Sequence, residues 1–477
     1  MCGTAGASIG QETGLPCRAL RVFLRRDAEP TMRPLDLLKR YQAWLHRPAP
    51  GSKAARRRVW ILSIIAVIAV LAFFFWFTSA RVLTDRVEIA VAVGDDAFAD
   101  SLGPLLGAEF SGGNRVQLLV NGDEFFPEML KAIREARETI TLETYIWSSG
   151  KISDQFIEAL SERARAGVKV HVLGDGMGTR PLKREDRQRM IDAGVQWLVY
   201  GREHWYEIKP NINHRTHRKL LVVDGRVGFT GGMCIDDRWA GNAESVKVWR
   251  ETQVRVEGPV VRQMQATFVA NWLETTPQLL FGPEYFPKED GLLLGGAFVQ
   301  CYKSGPNEAQ ENARLSYLVA IAGARKVIQI ANAYFVPDGL MVEMLVAARQ
   351  RGVRVQIIVP GINDSRFGRA ASRSRWGKLL AAGAEFYAYQ PAMFHSKVMM
   401  VDDVFTTIGS TNFDNRSFGI NDEVNINVLD TSLARRSRLI FEHDLSRSTP
   451  ITLAEFENRP FYIKLTDWFC GLFRSQI

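Results

Sequence analysis

Two stretches of the chain carry the same reactive residues at the same spacing. His217-Arg-Lys219-Leu-Leu-Val-Val-Asp224 and His395-Ser-Lys397-Val-Met-Met-Val-Asp402 share an H-x-K-x4-D pattern, 178 positions apart. A histidine meets Lys at +2 and Asp at +7 by chance about once in a few hundred cases, so two matches among seven histidines stand out. The residues between Lys and Asp are apolar in both copies, which predicts a buried strand with the histidine at its start. Two imidazoles from equivalent half-sites can divide the work on one phosphodiester. Neutral imidazole is a nucleophile near pH 7, and imidazolium is an acid. Lys219 and Lys397 would hold the non-bridging oxygens as point charges, so the chemistry needs no metal ion or other cofactor. Asp224 and Asp402 complete the catalytic set of the motif; at the far ends of the strands they are expected to anchor local structure rather than touch substrate. A lone histidine at a strand start is ordinarily structural, and the repetition argues against that here.

Each motif is followed by a small-residue turn, Gly231-Gly232-Met233-Cys234 in the first copy and Gly409-Ser410-Thr411-Asn412 in the second. An acidic residue comes next in each, Glu251 and Glu423. Ser410 and Asn412 offer neutral donors, and the two glutamates are candidates for fixing the second ring nitrogen of each histidine. In these features the sequence resembles the phospholipase D superfamily. The run Gly-Ser-Thr-Asn-Phe-Asp414-Asn-Arg416-Ser-Phe-Gly-Ile-Asn-Asp-Glu423 is most similar to its bacterial cardiolipin synthase branch, as are Glu143-Thr-Tyr-Ile-Trp147, Tyr334-Phe-Val-Pro-Asp338 and Arg459-Pro460. The resemblance runs from about Val116 to the C-terminus. It implies two domains packed pseudo-symmetrically with both histidines at their interface, a covalent phosphohistidine, and a two-step exchange of a phosphatidyl group. His217 is assigned as nucleophile and His395 as general acid and then base, with the reverse assignment left open by the symmetry. The implied substrates are phospholipids: phosphatidylglycerol, or phosphatidylethanolamine as the other donor. One departure is Cys234, which stands where the resemblance leads one to expect Asn, and a thiol is a weak donor.

The elements that must position these residues are also duplicated. Val116-Gln-Leu-Leu-Val-Asn-Gly matches Val299-Gln-Cys-Tyr-Lys-Ser-Gly, and Ala193-Gly-Val-Gln-Trp197 matches Ala382-Gly-Ala-Glu-Phe386. Apolar spacing predicts helices over 125–138 and 153–166, with strands over 139–146 and 168–173. Alternating strands and helices predict an α/β fold, each half a mainly parallel sheet flanked by helices. The expected organisation is a basic, partly disordered arm over 1–58, a transmembrane helix over 59–80, and phospholipase-D-like halves over 81–292 and 293–477.

Charge separates arm from body. The first 80 residues hold twelve Lys or Arg against four Asp or Glu, which accounts for the whole net charge of +8. The rest sums to zero. A nucleic-acid-binding face usually carries its own positive excess, so nucleic acid is not an expected partner and a membrane-tethered nuclease is disfavoured. No charge interrupts residues 59–80, long enough to cross a bilayer core as a helix, with Trp60 and Trp76 at interfacial positions. Lys53, Arg56, Arg57 and Arg58 precede this segment, which places the N-terminus in the cytoplasm and the body on the outer, periplasmic side of a bacterial inner membrane. Cys2, Cys17, Cys234, Cys301 and Cys470 form neither a metal-ligand spacing nor a disulfide framework. The segment Phe461–Phe473 is compatible with an amphipathic helix lying on a membrane or with docking onto the body. Two enzymatic alternatives share one machinery: phosphatidyl transfer to a second lipid, or hydrolysis with water as acceptor. A non-catalytic scaffold is disfavoured because both histidine motifs are intact.

Overall fold

A computed structural model describes residues 59–70, 85–201, 214–288, 294–307 and 309–473. Residues 82–477 form one compact unit and residues 1–81 another. Of the second, residues 59–70 are helical with mostly exposed side chains. Among the described residues no helix is long and apolar enough to cross a membrane. The basic arm and residues 71–80 of the expected span lie outside them.

The larger unit is built on a sixteen-stranded sheet whose order repeats about its centre. From the centre outward, the first half runs Ser111–Val120, Thr252–Glu257, Val227–Gly231, Leu220–Val223, Thr139–Thr144, Lys169–Asp175 and Gln196–Tyr200. The second half runs Ala297–Ser304, Glu423–Leu429, Phe405–Gly409, Lys397–Val401, Val327–Asn332, Arg354–Ile362 and Glu385–Phe394. Ser111–Val120 and Ala297–Ser304 pair antiparallel, with an irregularity between Ser111 and Asn114, and join the halves into one sheet. Every side chain of Thr139–Thr144, Leu220–Val223 and Lys397–Val401 is buried, as central strands require when both faces are covered.

The expectation of mainly parallel sheets is corrected. Each half is mixed. Thr139–Thr144, Lys169–Asp175 and Gln196–Tyr200 run parallel, as do Val327–Asn332, Arg354–Ile362 and Glu385–Phe394. Ser448–Ile451 is added antiparallel at the outer edge of the second half. The histidine-motif strand and its neighbours toward the centre pair antiparallel. The reason is a tight hairpin directly after each motif. Val223–Arg226 closes with Arg226 N–H donating to Val223 O at 3.0 Å, and Asp224 and Gly225 have φ of 52° and 60°. Asp402 and Asp403 do the same at 53° and 55°. Positive φ at both central residues marks a type I′ turn, whose twist suits a two-strand hairpin. The strand–helix alternation that favours parallel pairing therefore holds only for the outer part of each half.

Helices cover both faces. Gly122–Glu135 buries Phe125, Phe126, Met129, Leu130 and Ile133 at helical spacing, and Lys151–Arg165 packs beside it over the first half. Asn312–Gly323 and Gly339–Gln350 are their counterparts in the second. A third core lies beneath Val261–Thr275 and Thr431–Ser446 and draws residues from both halves, from Val254 and Phe268 to Val428 and Phe441. The central pairing and this shared core bring the two motif strands together.

Candidate active site

His217 stands three residues before the strand Leu220–Val223 and His395 two before Lys397–Val401, and each is tied by its backbone to the opposite half. His217 N–H donates to Asp422 O at 2.9 Å, and His395 N–H donates to Arg250 O at 2.8 Å. The residues following those acceptors are Glu423 and Glu251. The carboxylates therefore cross: His217 Nδ1 lies 2.9 and 3.0 Å from the Glu423 oxygens, and His395 Nδ1 lies 2.6 Å from Glu251 Oε2. Both glutamates are fully buried. With Nδ1 engaged, Nε2 is the nitrogen each ring keeps for a substrate.

The two pairs differ in what surrounds them. Ser410 Oγ donates to Glu423 Oε2 at 2.5 Å and accepts from Val424 N–H at 3.0 Å. Its hydroxyl proton is thus spent on the carboxylate and not on a phosphate oxygen. Glu251 accepts from Thr252 N–H at 2.8 Å and, weakly, from Trp239 Nε1 at 3.4 Å. Trp239 and Trp249 pack on His395 with ring centroids at 5.3 and 5.0 Å. Tyr145 presents its ring to His217 at 5.0 Å, and Tyr334 stands in the equivalent position by His395 at 6.3 Å. Lys219 Nζ donates to His217 O at 2.6 Å and lies over the Tyr145 ring. Lys397 Nζ donates to His395 O at 2.5 Å and stands 3.0 and 3.2 Å from the two nitrogens of that ring. Asn412 is buried with Oδ1 lacking a hydrogen-bond partner among the described residues, and Cys234 is a buried thiol.

Burial sets the proton positions. Desolvation pushes His217 down to about 4 against the attraction of Glu423. Burial alone would raise Glu423, but His217, Lys219 and the Ser410 hydroxyl outweigh it and hold the carboxyl below its usual range. Glu251 goes the other way: burial raises it to about 7 against Lys397 and the Thr252 N–H. Burial, with Lys397 and Lys219, keeps His395 well below its ordinary value. Burial also lowers Lys397 to about 8, offset in part by Glu251. The His217–Glu423 pair is a neutral imidazole on a carboxylate. The His395–Glu251 pair favours a proton held on the carboxyl side, 2.6 Å from an imidazole that can receive it.

Asp224 and Asp402 are not part of this cluster. Seven residues of extended chain separate each from its histidine, roughly 20 Å. Asp224 accepts from the backbone N–H groups of Arg137, Glu138 and Thr139 at 2.8–3.2 Å. Asp402 accepts from Arg325, Lys326 and Val327 at 2.5–2.8 Å. Each closes the loop leading into the outer motif-paired strand.

The pattern did not reveal the crossing of the glutamates, the two indoles on His395, or a polar network behind His217. In that network Glu143 Oε1 accepts from Thr216 Oγ1 at 2.5 Å and Asn271 Nδ2 at 2.7 Å, while Glu143 Oε2 has no hydrogen-bond partner among the described residues. His214 Nε2 lies 2.9 Å from Asp422 Oδ2 in the same cluster, behind the catalytic strand. Burial raises the Glu143 carboxyl to about 7. The available signal was Glu143 itself, an acid inside an otherwise β-rich apolar run. His171 bridges Gln196 and Tyr285 at 3.1 and 2.8 Å.

Comparison with known proteins follows the same division into halves. A family described as "Cardiolipin synthase, PLD-like domain" matches residues 129–272 and 317–445, which bracket both motifs. Cardiolipin synthase 1 of Bacillus cereus is 33% identical over 376 residues, covering 76% of this chain and 74% of that protein. The major cardiolipin synthase ClsA of Bacillus subtilis is 32% identical over 362 residues, covering 76% and 75%. Among solved structures, phosphatidylserine synthase from Haemophilus influenzae superposes with a TM-score of 0.61 at 13% identity, covering 80% of this chain and all of that one. That likeness concerns the fold. With its paired motifs in one sheet and relatives aligned across both, the chain belongs to the phospholipase-D-like cardiolipin synthase family.

Proposed function

We propose that the crossed histidine pair transfers a phosphatidyl group from phosphatidylglycerol to a second phospholipid, releasing glycerol. The observation that carries this reading is the geometry of the two histidines, each with Nδ1 on a buried glutamate of the opposite half and each beside a buried lysine. The opposite pKa directions of the two glutamates support the division of roles. In the first step His217 Nε2 attacks phosphorus, and the bond to the glycerol headgroup oxygen breaks. The proton associated with His395–Glu251 passes through His395 to that oxygen, and glycerol leaves. The bound phosphodiester is anionic, which favours moving this proton from the Glu251 carboxyl to the imidazole. In the second step His395 takes the proton from the headgroup hydroxyl of the acceptor lipid. That oxygen attacks phosphorus, and the N–P bond to His217 breaks. Lys219 and Lys397 offset the charge on the non-bridging oxygens in both steps, and Asn412 supplies a further donor. Asp224 and Asp402 act on the reaction only through the hairpins they hold.

Relatives named cardiolipin synthases support phospholipid substrates and placement at a bacterial membrane. The uncharged stretch over 59–80 and the basic residues before it support a single-pass anchor with a cytoplasmic N-terminus and a periplasmic body. The test is product analysis in vesicles of phosphatidylglycerol and phosphatidylethanolamine by mass spectrometry. Cardiolipin with glycerol release, absent in His217→Ala and His395→Ala, is the expected result. Phosphatidic acid as the sole product would make the protein a hydrolase, and ethanolamine release would change the donor.

A further inference from the structure

The helix Phe461–Gly471 is amphipathic with its faces reversed. Its polar side points inward: Asp467 is 2% exposed and accepts from Arg373 at 2.7–3.2 Å and from Arg459 at 2.5 Å. Gly471 lies so close to Ser374 that a Cβ would meet its hydroxyl oxygen at 2.8 Å. Its outer side is apolar. Phe461 is 77% exposed, Tyr462 68% and Trp468 62%, and Leu465, Phe469 and Leu472 are exposed as well. At 100° per residue these six cover an arc of about 120°. Phe367, exposed on the adjoining helix Arg366–Arg373, extends the patch, with its ring 6.1 Å from that of Phe473. A water-facing helix normally places such residues inward, and a contiguous exposed patch of this kind marks a contact surface.

We propose that this patch is an interfacial anchor that lies on the surface of an anionic phospholipid bilayer and brings the paired histidines close to it. The proposal rests on the lipid-transfer reading above and adds where the body meets its substrate. Two features select a bilayer over a protein partner. Exposed Arg366, Arg369 and Lys464 flank the apolar arc, complementing anionic headgroups while aromatic side chains enter the acyl boundary. The patch also adjoins the paired histidines through one residue. Gly368 on the Arg366–Arg373 helix abuts the Tyr334 ring, Tyr334 OH donates to Asp364 at 2.6 Å, and the same ring stands edge-on to His395. Lipid headgroups at the patch would therefore share a wall with the reacting centre.

The test uses the full chain reconstituted in vesicles of phosphatidylglycerol and phosphatidylcholine, with and without brominated acyl chains. Bromine should quench wild-type tryptophan fluorescence by a larger fraction than it quenches Trp468→Phe. A Leu465→Asp/Trp468→Asp variant should turn over bilayer phosphatidylglycerol about tenfold or more slowly, because the local lipid concentration is lost. It should turn over a monomeric short-chain phosphatidylglycerol at the wild-type rate. Equal quenching of wild type and Trp468→Phe would overturn the proposal, as would undiminished bilayer turnover by the double variant. So would a double variant that lowers the oligomer mass in the absence of lipid, which would assign the patch to a second copy of the chain. If wild type turns over neither form of lipid, the transfer reading fails, and quenching still decides whether the patch docks.

Discussion

Glu423 receives the Ser410 hydroxyl and faces Lys219, whereas Glu251, beside Trp239 and bonded to His395, faces Lys397 and accepts from the Thr252 N–H and weakly from the Trp239 indole. Identical side chains at equivalent positions are thus shifted in opposite directions, and the proposed roles of the two histidines rest on that difference. The acid must be protonated for the first step, so activity should decline as pH rises through about 7, where Glu251 loses its proton. A second loss should follow near 8 as Lys397 becomes neutral. A pH–rate profile of wild type and Glu251→Gln checks this: the variant should be slower and lack the first step while keeping the second. Glu143 makes a prediction about stability. Its folded-state value of about 7 exceeds the ordinary 4.5, so its contribution is present below 4.5 and is lost as pH rises through 7. Relative to Glu143→Gln, the wild type should lose about 3 kcal/mol across that window, read from denaturant midpoints. The paired histidines and lysines were legible as candidates because H-x-K-x4-D is a local pattern. Glu143 was not, since its burial depends on Asn271, which lies on a helix far along the chain.

At the scale of elements, the two motif hairpins do more than carry lysines. Each places a carboxylate beneath three backbone N–H groups, and those groups open the strands Thr139–Thr144 and Val327–Asn332. Asp224→Ala would leave its three donors without that acceptor. A loss of about 2–4 kcal/mol is expected in urea unfolding, with activity per folded molecule nearly unchanged. A large fall in kcat with unaltered stability would instead place Asp224 in the chemistry. Helix and strand positions in the outer part of each half were legible: the expected strand over 139–146 is Thr139–Thr144, and the expected helix over 153–166 is Lys151–Arg165. The mixed sheet was missed although Asp224-Gly225 is a hairpin signal, because the apolar motif strand suits parallel and antiparallel neighbours equally.

Across the whole molecule, duplication makes one site out of two incomplete ones. Neither half holds both a histidine and the glutamate that orients it, since Glu251 serves His395 and Glu423 serves His217. The repeat was readable from Val116-Gln and Val299-Gln, but the exchange of glutamates depends on those two strands pairing antiparallel, a non-local choice that no single segment encodes. The same join supports the shared core between Val261–Thr275 and Thr431–Ser446. Cys234 and Asn412 show that the symmetry is not carried into every side chain. The central claim is a direction of reaction across this symmetric frame, with His217 as nucleophile and His395 as proton carrier. The most direct test offers His395→Ala a phosphatidyl donor whose leaving group departs without a proton, then quenches and locates the adduct by peptide mass spectrometry. A phosphatidyl group should accumulate on His217, because the base for the second step is gone, and no adduct should form in His217→Ala. An adduct on His395 in His217→Ala, with His217 unmodified in His395→Ala, would contradict it.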